Sequence, residues 1–323
     1  MEERTDNACM AKQAYSRVGL GLAVMSLVEI VLSLGLGLLF ALDQVEGPSL
    51  LWTLFGQIIP VYGSILAGYL VLHRLPANPP KLHALRPGQF LRLPPITSFV
   101  EYTASGIGSL LLLLAGLLLG RILGDAAEMP ENPVVSLVRQ TPPVLDFLLA
   151  VVAGPIVEEL FCRKAIIDRT RIYGERLAVV FSAVIFGIFH HNFTQFLYTV
   201  ALGLLFGYVY IRTGKLRYTI ALHIYNNFLG FLSARLSLSA GLLDAVEGAG
   251  ALPQEKLVPL TGFVLLLAAL FIAGSILFIR NIKTVHFESA EREVSTGKWF
   301  RAPWCNVSMI AYAALGLFLA VAG

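Results

Sequence analysis

Long apolar runs without charged residues constrain the fold of this chain more than any other feature of its sequence. A membrane-spanning helix needs roughly 20 apolar residues. Runs that meet or approach this length lie at 18–42, 51–72, 102–120, 193–211, 257–279 and 302–323, and Glu29 alone interrupts the first. Three weaker runs, at 146–161, 177–189 and 218–234, contain polar residues of interest. The pattern predicts a polytopic bundle of transmembrane helices.

The composition indicates an all-α membrane protein of about eight to nine spans. Of the 323 residues, 56% are hydrophobic and 14% charged, whereas a soluble domain carries about 25% charged residues. The first run is too long for a signal-peptide core, so we expect it to be a retained helix. The net charge of +3 and the lack of a basic motif predict no nucleic-acid partner. Cys9, Cys162 and Cys305 have no metal-ligand spacing, which predicts unpaired thiols.

Loops rich in lysine and arginine alternate along the chain with loops that are poor in them, and this alternation sets the predicted orientation. Basic residues concentrate in the N-terminal tail and in the loops at 74–97, 163–176, 212–217 and 280–303. The intervening loops are poor in them, and the loop with Asp125, Glu128 and Glu131 is acidic. The pattern predicts about nine helices in a multi-pass protein of the cell membrane. We expect the N-terminus in the cytoplasm and the C-terminus outside.

Two adjacent glutamates end one of the weaker apolar runs, in the sequence EELFCRK from Glu158 to Lys164. Charges inside the membrane are costly and mark functional candidates. Glu159 and Arg163 are at i and i+4 on one helix face, in the favourable order for an ion pair. Glu158 points about 100° away and has no evident local partner, as a general base requires. The alternative is that all three side chains form a solvated helix end at the cytoplasmic interface.

The stretch FSAVIFGIFHHN places Phe186 and His190 at i and i+4. If the chain turns at Gly174, Glu158 precedes the turn by as many residues as His190 follows it. An antiparallel hairpin would then bring Glu158 and His190 to the same membrane depth. A lone histidine on an apolar helix is more often a packed residue, and the matched glutamate favours the functional interpretation.

The third polar group is ALHIYNN, in which His223 and Asn227 are again at i and i+4. Side by side they offer two hydrogen-bond donors on one helix face. Such pairs also serve as polar contacts between helices, worth ~0.6 kcal/mol on average. A carboxylate, a histidine and a donor pair together meet the requirements of hydrolysis: a base, its partner and an oxyanion stabiliser.

The three segments EELFCR, FGIFH and HIYNN resemble the ordered motifs EExxxR, FxxxH and HxxxN of the CPBP family of intramembrane proteases. This family includes the type II CAAX prenyl endopeptidases and bacteriocin-immunity relatives. The resemblance implies that Glu158 and His190 activate a water and that His223 and Asn227 stabilise the oxyanion. Glu159, Arg163 and Phe186 are the supporting motif residues.

The motifs divide the chain into three parts. Residues 145–232 form the predicted CAAX-protease-like catalytic core, with a cavity facing the cytoplasm. Residues 1–144 add about three transmembrane helices and residues 233–323 about two. The resemblance implies a peptide or protein substrate, which is prenylated in eukaryotic relatives, and the lipid bilayer as a partner.

Several alternatives stay open at this point. Glu158, His190 and His223 could ligate zinc with an open fourth position, but HExxH and a cysteine cluster are absent, so we expect no required cofactor. Cys162 shares the face of Glu158, yet an apolar site ionises a thiol poorly, which favours a core role. Outside catalysis, an immunity-type or scaffold protein, or an ion-coupled transporter, could use the same polar cluster.

Overall fold

The computed structural model describes residues 2–42, 55–56, 58–123, 138–139, 141–242 and 253–322. These residues are helical almost throughout, and no β-strand occurs among them. The predicted all-α class is therefore confirmed. Two predicted loops lie outside the described residues. They are the loop at 43–49, which is poor in basic residues, and the acidic loop with Asp125, Glu128 and Glu131.

Nine main helical segments follow one another in the described part of the chain. They are α1 (Glu2–Leu42), α2 (Ile59–Leu72), α3 (Leu93–Leu123), α4 (143–170), α5 (Glu175–Phe189), α6 (Phe193–Thr213), α7 (Leu216–Ala240), α8 (Gln254–Asn281) and α9 (Val307–Ala322). Short helices at Pro87–Phe90 and Arg301–Trp304 precede α3 and α9.

Four helices in the described part of the chain are long and apolar enough to cross a membrane. They are Asn7–Leu42, Pro87–Leu118, Phe193–Thr213 and Gln254–Thr284. A pair bent by 68°, Thr296–Trp304 with Val307–Val321, raises the number to five if it forms one span. The structure is thus a helical membrane bundle, while the total of eight to nine spans stays a prediction.

The helices pack around α5, whose apolar side chains belong to the core between α1, α4 and α9. On its other side α5 lies against α6, and small residues allow the close approach. A side chain at Gly203 would lie 2.9 Å from the Cα atom of Ala183, and one at Gly207 would lie 3.1 Å from Val179. These two glycines of α6 therefore serve packing, as their GxxxG spacing predicts.

The loops predicted to be basic and cytoplasmic meet at one end of the bundle. Backbone hydrogen bonds join His83 to Thr213, and Arg292 to Ile172. Glu175 forms ion pairs with Arg171 and Arg212, and Arg212 also forms an ion pair with Glu288. One turn of the chain at Gly174, with φ of +136°, separates α4 from α5. The hairpin predicted at this residue is present.

Candidate active site

Helix α4, which contains the paired glutamates, is wound partly as a π-helix. The stretches Phe147–Ala153 and Leu160–Ile167 are π-helical and flank the α-helical turn Gly154–Glu159. The N–H of Gly154 donates to the carbonyl of Leu149, five residues earlier. The next residue, Pro155, has no N–H to continue this pattern. A carbonyl of the preceding turn, that of Ala150, is consequently left for another donor.

Glu159 and Arg163 form the ion pair predicted from their spacing. The Nε atom of Arg163 lies 3.1 Å from Oε2 of Glu159, and neither side chain has exposed surface. The guanidinium lies 4.6 Å from the ring centre of Phe186 and 5.5 Å from that of Phe206. The aromatic faces supply favourable contacts to the buried cation. Phe186 thus has a structural role at the centre of the cluster.

His223 of α7 connects the two glutamates. Its Nδ1 atom lies 3.1 Å from Oε1 of Glu159, and its Nε2 atom lies 3.6 Å from Oε2 of Glu158. The ring packs at 5.5 Å from Phe186 and 5.4 Å from Phe206. Helix periodicity did not indicate these contacts, because they depend on how α7 packs against α4.

Glu158 is the more accessible of the two acids, with 18% of its side chain exposed against 0% for Glu159. Its Oε2 atom is buried and has no hydrogen-bond partner among the described residues. The 3.6 Å separation from His223 is too long for a hydrogen bond. Glu158 is therefore the carboxylate of the pair that keeps exposed surface, whereas the buried Glu159 is paired with Arg163.

His190 caps the C-terminal end of α5, and its ring orientation is fixed by the backbone. Its Nδ1 atom lies 2.7 Å from the carbonyl oxygen of Phe186. A carbonyl oxygen only accepts, so Nδ1 carries the hydrogen and donates. Nε2 of the neutral ring is then the acceptor. The rings of His190 and His223 both pack against Phe186, with ring centres 4.7 Å and 5.5 Å from it, so the two histidines lie around one aromatic ring near Glu158.

Asn227 uses its side-chain amide on the backbone of α4. Its Nδ2 atom donates to the carbonyl oxygen of Ala150 at 2.8 Å. This is the carbonyl that the missing N–H of Pro155 leaves available. His223 and Asn227 both face α4, as their i, i+4 spacing predicts. The structure brings Asn227 to the wall of the site, and its predicted contact with an oxyanion stays a prediction.

Two acids that lie in or at the edge of apolar runs, Glu29 and Asp146, have partners in the structure. Asp146 pairs with Arg235 at 2.8 Å, which joins the far ends of α4 and α7. Glu29 lies 3.6 Å from Nδ1 of His191. Sequence reasoning missed a third group, in which Asn226 donates to Glu101 of α3 at 2.6 Å. Glu101 directly precedes the predicted run at 102–120, and an acid at that position was the signal that could have identified it.

A zinc site would require its possible ligands to lie close together. Within the described ranges, no three His, Cys, Asp or Glu side chains are grouped closely enough to hold a metal ion. Glu158, His190 and His223 therefore do not form a preformed metal site in this arrangement. Cys162 is fully buried, and all three cysteines are free thiols.

Comparisons with known proteins support the resemblance read from the three motifs. Residues 140–229 match the family model of type II CAAX prenyl endopeptidase Rce1-like proteins. This segment contains Glu158, His190, His223 and Asn227. The "Putative membrane peptidase YdiL" of Bacillus subtilis is 30% identical over 118 residues, which cover 35% of this chain. The matched region spans 47% of that relative's length. No solved structure matches the chain.

Proposed function

We propose that this chain is an intramembrane endopeptidase whose catalytic core is formed by residues 145–232. The proposal rests on the different surroundings of the two adjacent glutamates, Glu158 and Glu159. Glu159 is buried and neutralised by Arg163 at 3.1 Å, whereas Glu158 keeps exposed surface and lies 3.6 Å from Nε2 of His223. The family match at 140–229 supports a peptide or protein as the substrate.

In the proposed reaction, Glu158 accepts a proton from a water that attacks the carbonyl carbon of the scissile peptide. Nε2 of His190 is the acceptor nitrogen of a ring held by Phe186, so it orients the same water. The proton then moves from Glu158 to the leaving amine, which completes hydrolysis.

The charge of the cluster favours a donor role for His223. Glu158 and Glu159 carry two negative charges, and Arg163 carries one positive charge. Donation from Nε2 requires a hydrogen on both ring nitrogens of His223, because Nδ1 already faces the carboxylate of Glu159. Its Nε2–H then lies next to Glu158 and can donate to the developing oxyanion. The second N–H of the Asn227 amide is the other proposed donor.

A comparison of cleaved peptides tests this function. Membranes that contain the native chain should release products from added peptides, and membranes with the Glu158→Gln chain should not. Farnesylated and unmodified versions of each peptide show whether a lipid group is required. If product patterns are identical in the two membranes, the chain is not the peptidase, and a binding role of the same cluster is favoured.

Metal chelation tests the choice of mechanism separately. Because we propose that Glu158 activates the water directly, phenanthroline should leave turnover unchanged. Loss of activity that is restored by stoichiometric zinc would show that the three candidate ligands bind a metal in the active state.

A further inference from the structure

Glu101 of α3 differs from the other acids within the bundle because it faces no cation. Glu29, Asp146, Glu158 and Glu159 each lie near a histidine or an arginine. Glu101 interacts with no basic side chain in the part of the chain that the structure describes. It lies within the candidate span Pro87–Leu118. An acid without a counter-charge is costly at such a position and indicates a functional site.

The carboxylate of Glu101 is held by a relay of buried side chains. Thr97 donates to Oδ1 of Asn226 at 2.7 Å, and Nδ2 of Asn226 donates to Oε2 of Glu101 at 2.6 Å. Thr97 and Asn226 are almost completely buried. The other oxygen, Oε1, accepts no hydrogen bond from the described residues and is not among their fully buried atoms. One oxygen is thus anchored and the other is available.

Tyrosines connect Glu101 to the candidate active site. Tyr225 of α7 hydrogen-bonds Ser98 of α3 at 3.0 Å, one turn before Glu101. Tyr198 of α6 packs on the apolar cluster that contains Phe206, and the ring centre of Phe206 lies 5.4 Å from that of His223. The side chains of Glu101, Tyr198 and Tyr225 keep part of their surface exposed. In addition, Asn226 follows His223 by one helical turn on α7. Glu101 therefore contacts the turn of α7 that follows His223, whose Nε2 lies 3.6 Å from Glu158.

We propose that Glu101 is a specificity subsite that binds a cationic group of the peptide substrate. This inference rests on the proposed peptidase function. The available Oε1 atom can accept from an ammonium or a guanidinium, and such a charge-assisted hydrogen bond is stronger than a neutral one. The negative faces of the neighbouring tyrosine rings also attract a cation electrostatically. The subsite would select peptides with a basic residue near the scissile bond.

Peptide pairs that differ in a single charge test the subsite. N-acetylated apolar peptides carry either Lys or Met at one position, and that position is scanned along the peptide. The native chain should prefer the Lys peptide at one position by about tenfold or more in kcat/KM. Glu101→Gln should slow only the Lys peptide, mainly through KM. No preference at any position, or equal slowing of both peptides by Glu101→Gln, would overturn the proposal.

Two further variants control for folding and for net charge. Glu101→Asp retains the charge and should retain the Lys preference. Glu291→Gln removes the same charge from an exposed loop position and should change neither peptide's turnover. Glutamine at position 101 can still accept the hydrogen bond from Asn226, so the helix contact is preserved.

A binding measurement separates this inference from the proposed activity. The Lys peptide should raise the unfolding temperature of the Glu158→Gln chain more than the Met peptide does. This difference should vanish when Glu101→Gln is added. A difference that depends on Glu101 supports the subsite even if no chain hydrolyses peptide, in which case only the peptidase proposal fails. Equal effects of the two peptides would overturn the subsite.

Discussion

Glu158 and Glu159 are neighbours in sequence with different surroundings. Glu159 contacts Arg163 and His223 and has no exposed surface. Glu158 has exposed surface and an oxygen without a hydrogen-bond partner among the described residues. The same chemical group therefore has a charged partner at one position and exposed surface at the next, where we propose that it reacts.

This difference predicts opposite effects of two matched substitutions. Glu159→Gln leaves Arg163 as a buried, unpaired charge, so it should destabilise the protein by about 3–5 kcal/mol. Glu158→Gln should leave the folded yield unchanged and abolish turnover. Unfolding temperature and turnover per folded molecule measure the two effects. Equal loss of turnover per folded molecule in both variants would contradict the division of roles.

The Asn227 amide should have both a structural and a chemical effect. Asn227→Ala removes an exposed hydrogen bond to the Ala150 carbonyl, which costs about 0.5–1.5 kcal/mol of stability. Loss of an oxyanion donor should also lower kcat by about 10²–10³. The pH profile should match that of the native chain, because asparagine does not titrate.

Asn227→Asp is the discriminating variant at this position. A carboxylate would face both the Ala150 carbonyl and the developing oxyanion, so it should be less active than alanine. An aspartate variant as active as the native chain would show that Asn227 has no contact with the reaction centre.

At the scale of the helix, the end of α5 determines where His190 points. His191 follows it with φ of +46°, a left-handed conformation that is uncommon for residues other than glycine. The Nδ1 atom of His191 lies 3.6 Å from Glu29 of α1. The helix therefore ends abruptly after His190, and the neighbouring helix supports this turn.

Two substitutions at His191 separate the backbone turn from the ion pair. Asparagine tolerates the left-handed conformation, whereas valine is strained there by about 1–3 kcal/mol. Both remove the contact with Glu29. His191→Val should therefore lose much more stability and turnover than His191→Asn. Equal losses, measured by thermal unfolding and kcat, would show that only the ion pair matters.

Elements were easier to predict from the sequence than their winding. The apolar runs and Gly174 predicted α4, α5 and the turn between them. The π-helical stretches were not predicted, because periodicity arguments assume 3.6 residues per turn. Local sequence patterns also do not predict which residues of different helices contact each other. The pairing of His223 with Glu159, and of Arg235 with Asp146, requires knowing that α7 runs antiparallel to α4. The Glu159–Arg163 pair could be predicted because it lies within one helix.

At the scale of the whole molecule, α1 is longer than a membrane is thick. Its 41 residues extend about 62 Å at 1.5 Å per residue, compared with about 30 Å for the hydrocarbon core.

Cys9 and Asn306 line one pocket at the basic end of the bundle, and Cys305 is the neighbour of Asn306. Both thiols are exposed, whereas Cys162 is buried.

Labelling of the native cysteines tests the predicted orientation. A membrane-impermeant maleimide should not react in intact cells, and after permeabilisation it should label Cys9 and Cys305. Cys162 should react only in denatured protein and serves as the internal control. Labelling of Cys9 in intact cells would reverse the predicted cytoplasmic location of the N-terminus. Mass spectrometry of peptides identifies the modified thiol.

The π-helical winding of α4 makes the length of this segment matter as much as its composition. Hydrogen bonds to the fifth preceding residue accommodate more residues per turn than an α-helix does. Removing one residue from Phe147–Ala153 would let the backbone relax to ordinary α-helical winding. The anchor of Asp146 on Arg235 and the carboxylates at 158 and 159 would then rotate out of phase by up to about 100°. Evolution can therefore exchange side chains along this stretch more readily than it can insert or delete them.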